Sequence, residues 1–375
     1  MENSNTIIQY LASFAAAILL IQYIILIIRA KFFWIDYSKP LPEILPKVSI
    51  LVSSRNEEKD LPNLLKSFDS IDYPTDKLEF LLADDASEDR TLFLLKSWCE
   101  KGENRKVIAI KEYKSANNFL NGKANALAIL AKEASGDYFF FTDADCIVNK
   151  DWVKEGIRCF SDSTGLLNGV TEIKGDSFFS HFQKLDWWNI LGITKVVSDL
   201  GGHTTGLGNN MVILKEAYFL SGGYENTTFS LTEDLEISRS INNAGFQVQQ
   251  QVSPGMLLTT KAEKGWLAFL KQRKRWLKGV LTLPWFWKLA LSFHLLFFPV
   301  VFYLIWMNWL VGLFIWLFKI VFQSIFLKSL SSKSKSHLYW IWLLLYDFYY
   351  FLASSLTILY YFWPSKITWK SRQYS

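Results

Sequence analysis

Residues 138–146, Tyr-Phe-Phe-Phe-Thr-Asp-Ala-Asp-Cys, decide how the rest of the chain is read. A run this aromatic suits a buried strand, and it stops abruptly at two carboxylates, Asp143 and Asp145. Working outward, three more short apolar runs stand upstream: VSILVS at 48–53, EFLLAD at 79–84 and KVIAI at 106–110. Helical spacing fills the gaps, from about Glu57 to Ser70, from about Asp89, and over NGKANALAILAKEA at 121–134. Strand alternating with helix predicts an α/β unit with a mostly parallel sheet and right-handed crossovers. In such sheets ligands bind beyond the C-terminal strand ends. Three of the runs end in polar groups: Ser53-Ser54-Arg55-Asn56-Glu57, Asp84-Asp85 and Asp143-Ala144-Asp145. They are expected to converge on one edge.

Composition points to a bilayer. Half of the 375 residues are hydrophobic, and the charges lie mainly in 47–280. They almost vanish from 7–28 and stay sparse across 281–363, which excludes an ordinary soluble enzyme, a disordered chain and a collagen-like fibre. Forty basic against 35 acidic residues give +5, too mild for a nucleic-acid partner. Cys99, Cys146 and Cys159 have no metal-ligand spacing and fit a reducing compartment.

The uncharged run 7–28 is long enough to span, and Arg29 and Lys31 after it favour a retained anchor with residue 29 onward in the cytoplasm. Further apolar helices are expected at 289–306, at 309–327 after a turn near Asn308, and at 338–362. Within them Lys319 reads as a snorkelling lysine and Asp347 as a carboxylate facing other helices. One anchor and three spans place the tail opposite the cytoplasmic domain, whereas Lys366, Lys370 and Arg372 prefer the inside. The expected divisions are 1–31, N-terminal anchor; 47–262, catalytic domain; 263–284, amphipathic interface helix; 285–363, membrane region; and 364–375, basic tail.

Several residue groups carry candidate chemistry, each beside a plainer alternative. Asp143 and Asp145, two apart on an extended backbone, can hold a hard divalent cation, or form a strand-end Asx turn. Asp84 and Asp85 can accept from a base or ribose, or simply precede a helix capped by Ser87 or Asp89. Asn56 and Glu57 can bind a nucleoside or cap a helix. Lys123 opens a helix, where a cation beside N-terminal amides suits phosphate; a solvated lysine is the alternative. In Thr232-Glu233-Asp234 a carboxylate can act as a base or cap the helix that follows. Gln272-Arg273-Lys274-Arg275-Trp276 lies in an amphipathic stretch from about Gly265, which could simply rest on anionic lipid. No dinucleotide-binding glycine motif and no Walker loop occur.

Taken in order, Ser54-Arg55-Asn56-Glu57, Asp84-Asp85, Gly122-Lys123-Ala124, Asp143-Ala144-Asp145, Thr232-Glu233-Asp234 and Gln272-x-x-Arg275-Trp276 resemble a membrane-bound family 2 glycosyltransferase with the GT-A fold. The last motif makes the chain similar to the branch of cellulose, hyaluronan and poly-N-acetylglucosamine synthases and ceramide glucosyltransferases. Asp-Asp-Ala-Ser at 84–87 replaces the commoner Asp-Asp-Gly-Ser. The resemblance implies a nucleotide-diphosphate sugar donor held by Asn56, Glu57, Asp84, Asp85, Lys123 and Asp143, and Mg²⁺ or Mn²⁺ on Asp145 and Asp143. It implies Asp234, with Glu233, as the catalytic carboxylates of an inverting transfer. Gln272, Arg275 and Trp276 would close over the diphosphate and the acceptor entrance. A lipid-linked or growing glycan acceptor and a multi-pass plasma-membrane location complete the expectation. The glycine-rich Gly201–Met211, with His203 and Asn209, is expected near the acceptor, and Trp187-Trp188 in core or interface packing. A membrane-associated nucleotidyltransferase and a non-catalytic nucleotide-sugar-binding membrane protein are the alternative readings.

Overall fold

The computed structural model describes residues 2–110, 121–369 and 372–374, so Lys370 of the tail lies outside the described residues. In chain order the strands are β1 (Val48–Ser54), β2 (Leu78–Asp85), β3 (Arg105–Ile110), β4 (Tyr138–Thr142), β5 (Cys146–Ile147), β6 (Thr164–Asn168), β7 (Val170–Lys174), β8 (Asn210–Leu214), β9 (Gln247–Gln250), β10 (Leu257–Lys261), β11 (Ile367–Trp369) and β12 (Arg372–Tyr374). The α-helices are α1 (Glu2–Phe32), α2 (Leu61–Phe68), α3 (Thr91–Cys99), α4 (Gly122–Glu133), α5 (Trp152–Arg158), α6 (Phe178–Asp199), α7 (Lys215–Leu220), α8 (Glu233–Asn243), α9 (Gly265–Val280), α10 (Trp285–Leu295), α11 (Phe297–Met307), α12 (Trp309–Lys333) and α13 (Trp340–Phe362). Two compact units result. One comprises Ile35–Asp176, Val197–Ala262 and Lys366–Ser375; the other comprises Met1–Trp34, Ser177–Val196 and Glu263–Ser365.

The first unit is built on a seven-stranded sheet of order β3-β2-β1-β4-β8-β6-β9. β3, β2, β1 and β4 run parallel, as the alternation of strand and helix predicts, and β8 is antiparallel to both its neighbours. The aromatic run of β4 serves both faces. Phe139 and Phe141 bury against Ala126, Leu127 and Leu130 of α4, while Phe140 meets Trp152 of α5 edge-on at 5.0 Å on the other face. A strand covered twice needs apolar residues at every position, which is why β4 shows no alternation. Each Phe→Ala change there would cost about 3–5 kcal/mol. Register aligns the ends: Ser54 pairs with Asp84, and Leu51 with Phe141, so the polar termini of β1, β2 and β4 share one edge. A smaller sheet, β5-β10-β7, begins directly after Asp145.

The second unit is helical. Ile7–Phe32, Trp285–Met307, Trp309–Lys333 and Trp340–Phe362 are each long and apolar enough to cross a membrane. Their outward residues include Leu11, Phe14, Ile21, Leu310, Phe314 and Leu359, all exposed, as side chains meeting acyl chains would be. Small Ala12 and Ala16 bury against Leu304 and let α1 approach α11 closely. Asn308 makes the expected turn: its backbone is extended, and its Oδ1 accepts from Val311 N at 3.3 Å to cap α12. The expected helix 289–306 falls within the span Trp285–Met307, which is interrupted at Leu296 between α10 and α11. Pro299, without an N–H, accounts for the interruption.

Lys319 does not snorkel. Its ammonium forms a buried ion pair with Asp347, whose Oδ2 also accepts from Trp316 Nε1 at 2.6 Å. Phe297, Phe298 and Tyr350 surround the ammonium, with ring centroids 5.1–5.3 Å away. A lysine in mid-helix is far from either interface, so an internal carboxylate replaces the water its head would otherwise need. Breaking the pair with Asp347→Asn should lower stability by about 3–5 kcal/mol, whereas Lys319→Met with Asp347→Leu should recover most of the loss. Thermal unfolding in detergent or nanodiscs measures both.

Candidate active site

The turns after β1 and β2 interlock. Asn56 and Ala86 both adopt left-handed backbone, with φ of 52° and 53°. Asn56 N donates to Ser87 Oγ at 3.1 Å, and Glu88 N donates back to Asn56 Oδ1 at 2.9 Å. Arg55 Nη1 donates to the Asp85 carbonyl at 2.7 Å, and Glu57 N donates to Thr91 Oγ1 at 2.8 Å. Glu57, Asp84 and Asp85 are buried here. Asp84 Oδ2 accepts from Ser87 N at 3.2 Å, while its Oδ1 is a buried acceptor with no hydrogen-bond partner among the described residues. A buried acceptor left open at a strand end is suited to a ligand donor.

On the other side of β1 lies a charge network. Asn121 caps α4 by accepting from Ala124 N at 2.7 Å, and its Nδ2 donates to Glu233 Oε2 at 3.1 Å. The cap starts α4 so that Lys123 reaches back to the sheet. Its Nζ donates to Asp143 Oδ1 at 2.5 Å and lies 3.2 Å from Glu233 Oε1. Burial alone would push this ammonium down, but Asp143 and Glu233 outweigh it and hold it above the ordinary lysine value. Lys123 is therefore a buried ion-pair member, not a solvated surface lysine.

Asp234 sits in the first turn of α8. Its Oδ2 accepts from Gly208 N at 3.1 Å and its Oδ1 from Leu235 N at 2.9 Å. Burial, then the neighbouring Glu233, pushes its carboxyl up to about 6, against the lowering pull of Lys123 and the two amides. The loop before β8 is fitted to it. A Cβ on Gly206 would lie 2.3 Å from the Asp234 carbonyl oxygen, so no side chain fits there. Asn168 pins the loop by accepting from Leu207 N at 2.8 Å and donating to Thr205 O at 2.9 Å. Asn209 O accepts from Thr142 Oγ1 at 3.0 Å, next to Asp143, and His203 Nε2 lies 2.9 Å from Ser238 Oγ on α8.

Asp145 lies 3.6 Å from Lys261 Nζ, which also reaches Asp60 Oδ2 at 2.5 Å and Glu57 Oε2 at 3.8 Å. Lys261 and Asp60 adjoin the candidate site and were not singled out in the sequence; Gly206 and Gly208 fall in the Gly201–Met211 stretch expected near the acceptor. Lys261 ends a strand with no distinguishing spacing, while Gly206 and Gly208 stood within a glycine-rich stretch whose exact contacts only the fold reveals. Asp143 and Asp145 offer hard oxygen donors, partly exposed and countered by ammonium groups, but the described residues contain no group of three or more His, Cys, Asp or Glu poised for a metal. Such a donor set fits a divalent ion that takes its remaining oxygens from a bound diphosphate and water. A separate cavity of about 550 Å³ opens at the other edge of the sheet, lined by Lys47, Leu78, Glu79, Asn104 and Ser135 among others, and shares no residue with these clusters.

Gln272, Arg275 and Trp276 belong to the helical unit, on α9. Gln272 Nε2 donates to Glu263 Oε1 at 2.8 Å, and Trp276 packs edge-on against Trp187 at 5.5 Å. Trp188 is fully buried. The intervening basic residues are not lipid-facing: the Arg273 guanidinium pairs with Asp186, and Lys274 Nζ donates to Trp363 O at 2.7 Å beyond the end of α13.

A mostly parallel sheet, an Asp-x-Asp strand end and a carboxylate in the first turn of α8, bonded to the loop before β8, fit the GT-A class. The chain belongs to glycosyl transferase family 21, whose model matches residues 13–375, which bears out the likeness to family 2 enzymes. It is similar to the probable glycosyltransferase YdaM of Bacillus subtilis, 26% identical over 249 residues, covering 63% of this chain and 55% of that protein. It is also similar to the beta-monoglucosyldiacylglycerol synthase of Nostoc sp., 24% identical over 249 residues, covering 65% and 51%. The chain thus spans about half the length of the curated relatives it matches. Among solved structures, the mannosyltransferase PcManGT of Pyrobaculum calidifontis, in complex with GDP-Man and Mn²⁺, shares the fold with a TM-score of 0.58 at 17% identity, covering 94% of this chain and 99% of that one.

Ala86 occupies the left-handed position where the family pattern commonly has glycine. Relieving its Cβ strain should outweigh the extra entropy of glycine, so Ala86→Gly should raise unfolding stability by about 0.5–1 kcal/mol. Thermal or denaturant unfolding checks the sign.

Proposed function

We propose that the protein transfers a sugar, with inversion, from a nucleotide-diphosphate donor to a lipid-linked or glycan hydroxyl at the cytoplasmic face of a membrane. The observation that carries this reading is the placement of Asp234. Its carboxylate is oriented by two backbone amides and lies beside a network that reaches Asp143 through Lys123. The four apolar helices support a membrane setting. The name of the Nostoc relative, a glucosyldiacylglycerol synthase, supports a lipid acceptor. Arg29 and Lys31 at the end of α1 support a cytoplasmic catalytic unit and a multi-pass plasma-membrane protein.

The donor would lie along the strand ends. Glu57, Asp84 and Asp85, with Asn56 shaping the turn, would hold the base and ribose. The open Asp84 Oδ1 is a ready acceptor for a ribose hydroxyl or base N–H. Lys123 would place positive charge toward the diphosphate. Asp143 and Asp145 would hold Mg²⁺ or Mn²⁺, which when bound supplies positive charge to the leaving diphosphate. Asp234 takes the proton of the acceptor hydroxyl as its oxygen bonds to the anomeric carbon from the face opposite the leaving group. The bond from that carbon to the diphosphate oxygen breaks, and its electron pair leaves with the nucleoside diphosphate. Glu233, bonded to Lys123 and Asn121, is a positioning residue in this scheme. Gln272, Arg275 and Trp276 are assigned to closure over the diphosphate and acceptor.

Asp234→Asn should lower kcat by about 10²–10⁴-fold while nucleotide affinity stays unchanged. Equal loss of both would move Asp234 to donor binding. A base must be deprotonated to act, and the Asp234 carboxyl sits at about 6. The kcat/KM for the donor should therefore be flat above that pH and fall tenfold per unit well below it. A pH–rate profile without this acidic limb removes the base assignment. Release of pyrophosphate from a nucleoside triphosphate would support a nucleotidyltransferase instead.

A further inference from the structure

We propose that Lys261 is a tethered cation that guards Asp145 in the donor-free protein, so that the divalent ion enters together with the donor's diphosphate and not ahead of it. This rests on the assignment of Asp143 and Asp145 to the metal made above.

The sheet sets Lys261 in place. β10 pairs antiparallel with β5, Thr260 opposite Cys146, and Thr260 Oγ1 donates to the Asp145 carbonyl at 3.4 Å. The next residue is therefore held beside the Asp145 side chain. Its ammonium faces three carboxylates from two segments, Asp60 at 2.5 Å and Glu57 at 3.8 Å in the turn after β1, and Asp145 at 3.6 Å after β4. On the other member of the strand-end pair, Lys123 lies 2.5 Å from Asp143. Each of the two carboxylates thus already faces an ammonium.

A bare divalent ion arriving here finds both strand-end carboxylates already paired with an ammonium, and too few free protein oxygens to replace its water shell. A diphosphate changes that balance, because it supplies both negative charge and oxygen ligands. Lys261 has a flexible stem, its side chain is 45% exposed, and it keeps Asp60 as a partner when it leaves Asp145. Its role is to set the order of addition and to make the metal site dependent on the donor. Glu57, assigned to the nucleoside, shares the same ammonium, so donor binding and the release of Asp145 involve one side chain.

The test is Mn²⁺ binding, followed by electron paramagnetic resonance on the full chain in nanodiscs, without donor and with UDP or GDP. Wild-type protein should bind Mn²⁺ weakly alone and more tightly with nucleoside diphosphate. Lys261→Met and Lys261→Gln should tighten donor-free binding about tenfold or more, since a unit charge at this range is removed. Lys261→Arg should resemble the wild type, and adding Asp145→Asn to Lys261→Met should erase the gain. Unchanged donor-free affinity in both neutral variants, with nucleotide-dependent Mn²⁺ binding intact in the wild type, overturns the role of Lys261 and leaves the metal assignment standing. No Mn²⁺ binding in any variant, with or without nucleotide, overturns both.

Discussion

The ammonium of Lys123 joins the parts of the site. It is the side chain that touches both the end of β4, through Asp143, and the start of α8, through Glu233. With 12% of its side chain exposed, it is too buried to keep its charge without partners, and Glu233 is buried as well. A charge network of this kind holds together only if its members balance, because removing one leaves the others desolvated and unpaired. Its geometry fixes the distance between the strand-end carboxylates and Asp234. The same neighbours set the proton affinity of Asp234, raised by burial and by Glu233 and restrained by Lys123.

The opposite half of the edge is held by backbone instead of charge. The turns after β1 and β2 clasp each other through Asn56 and Ser87, and both contain a residue in left-handed conformation. Conformations of that kind persist only where surrounding contacts enforce them. Behind them the parallel strands are packed on both faces, so the polar ends rest on a core that does not yield. The result is a rigid rim where, among the described residues, Asp84 Oδ1 and Ser54 Oγ are buried without hydrogen-bond partners, at the place where a nucleoside is proposed to bind.

Much of this was legible in the sequence, for reasons that can be named. β1, β2 and β4 announced themselves because strands covered on both faces are mostly apolar, and their polar ends stood out by contrast. Helix α4 was readable from its spacing, though not its Asn121 cap, and the turn at Asn308 from its place between two apolar runs. Lys261 was not, because only the pairing of β10 with β5 brings it to Asp145 across 115 intervening positions. Nor was the pairing of Lys319 with Asp347, since a lone charge in an apolar run does not reveal which helix will answer it. The one-residue interruption between α10 and α11, inside a single span, had a visible cause in Pro299.

The central claim is that Asp85, Lys123, Asp143, Asp145 and Asp234 surround one donor. The most direct measurement is a structure of the full chain in nanodiscs with nucleoside diphosphate and Mn²⁺. The account predicts the diphosphate between Lys123 and the Asp143–Asp145 pair, the nucleoside along Glu57, Asp84 and Asp85, and Asp234 open toward the place where the sugar would lie. A nucleotide bound elsewhere, with these five side chains keeping the partners they have without it, would contradict the account.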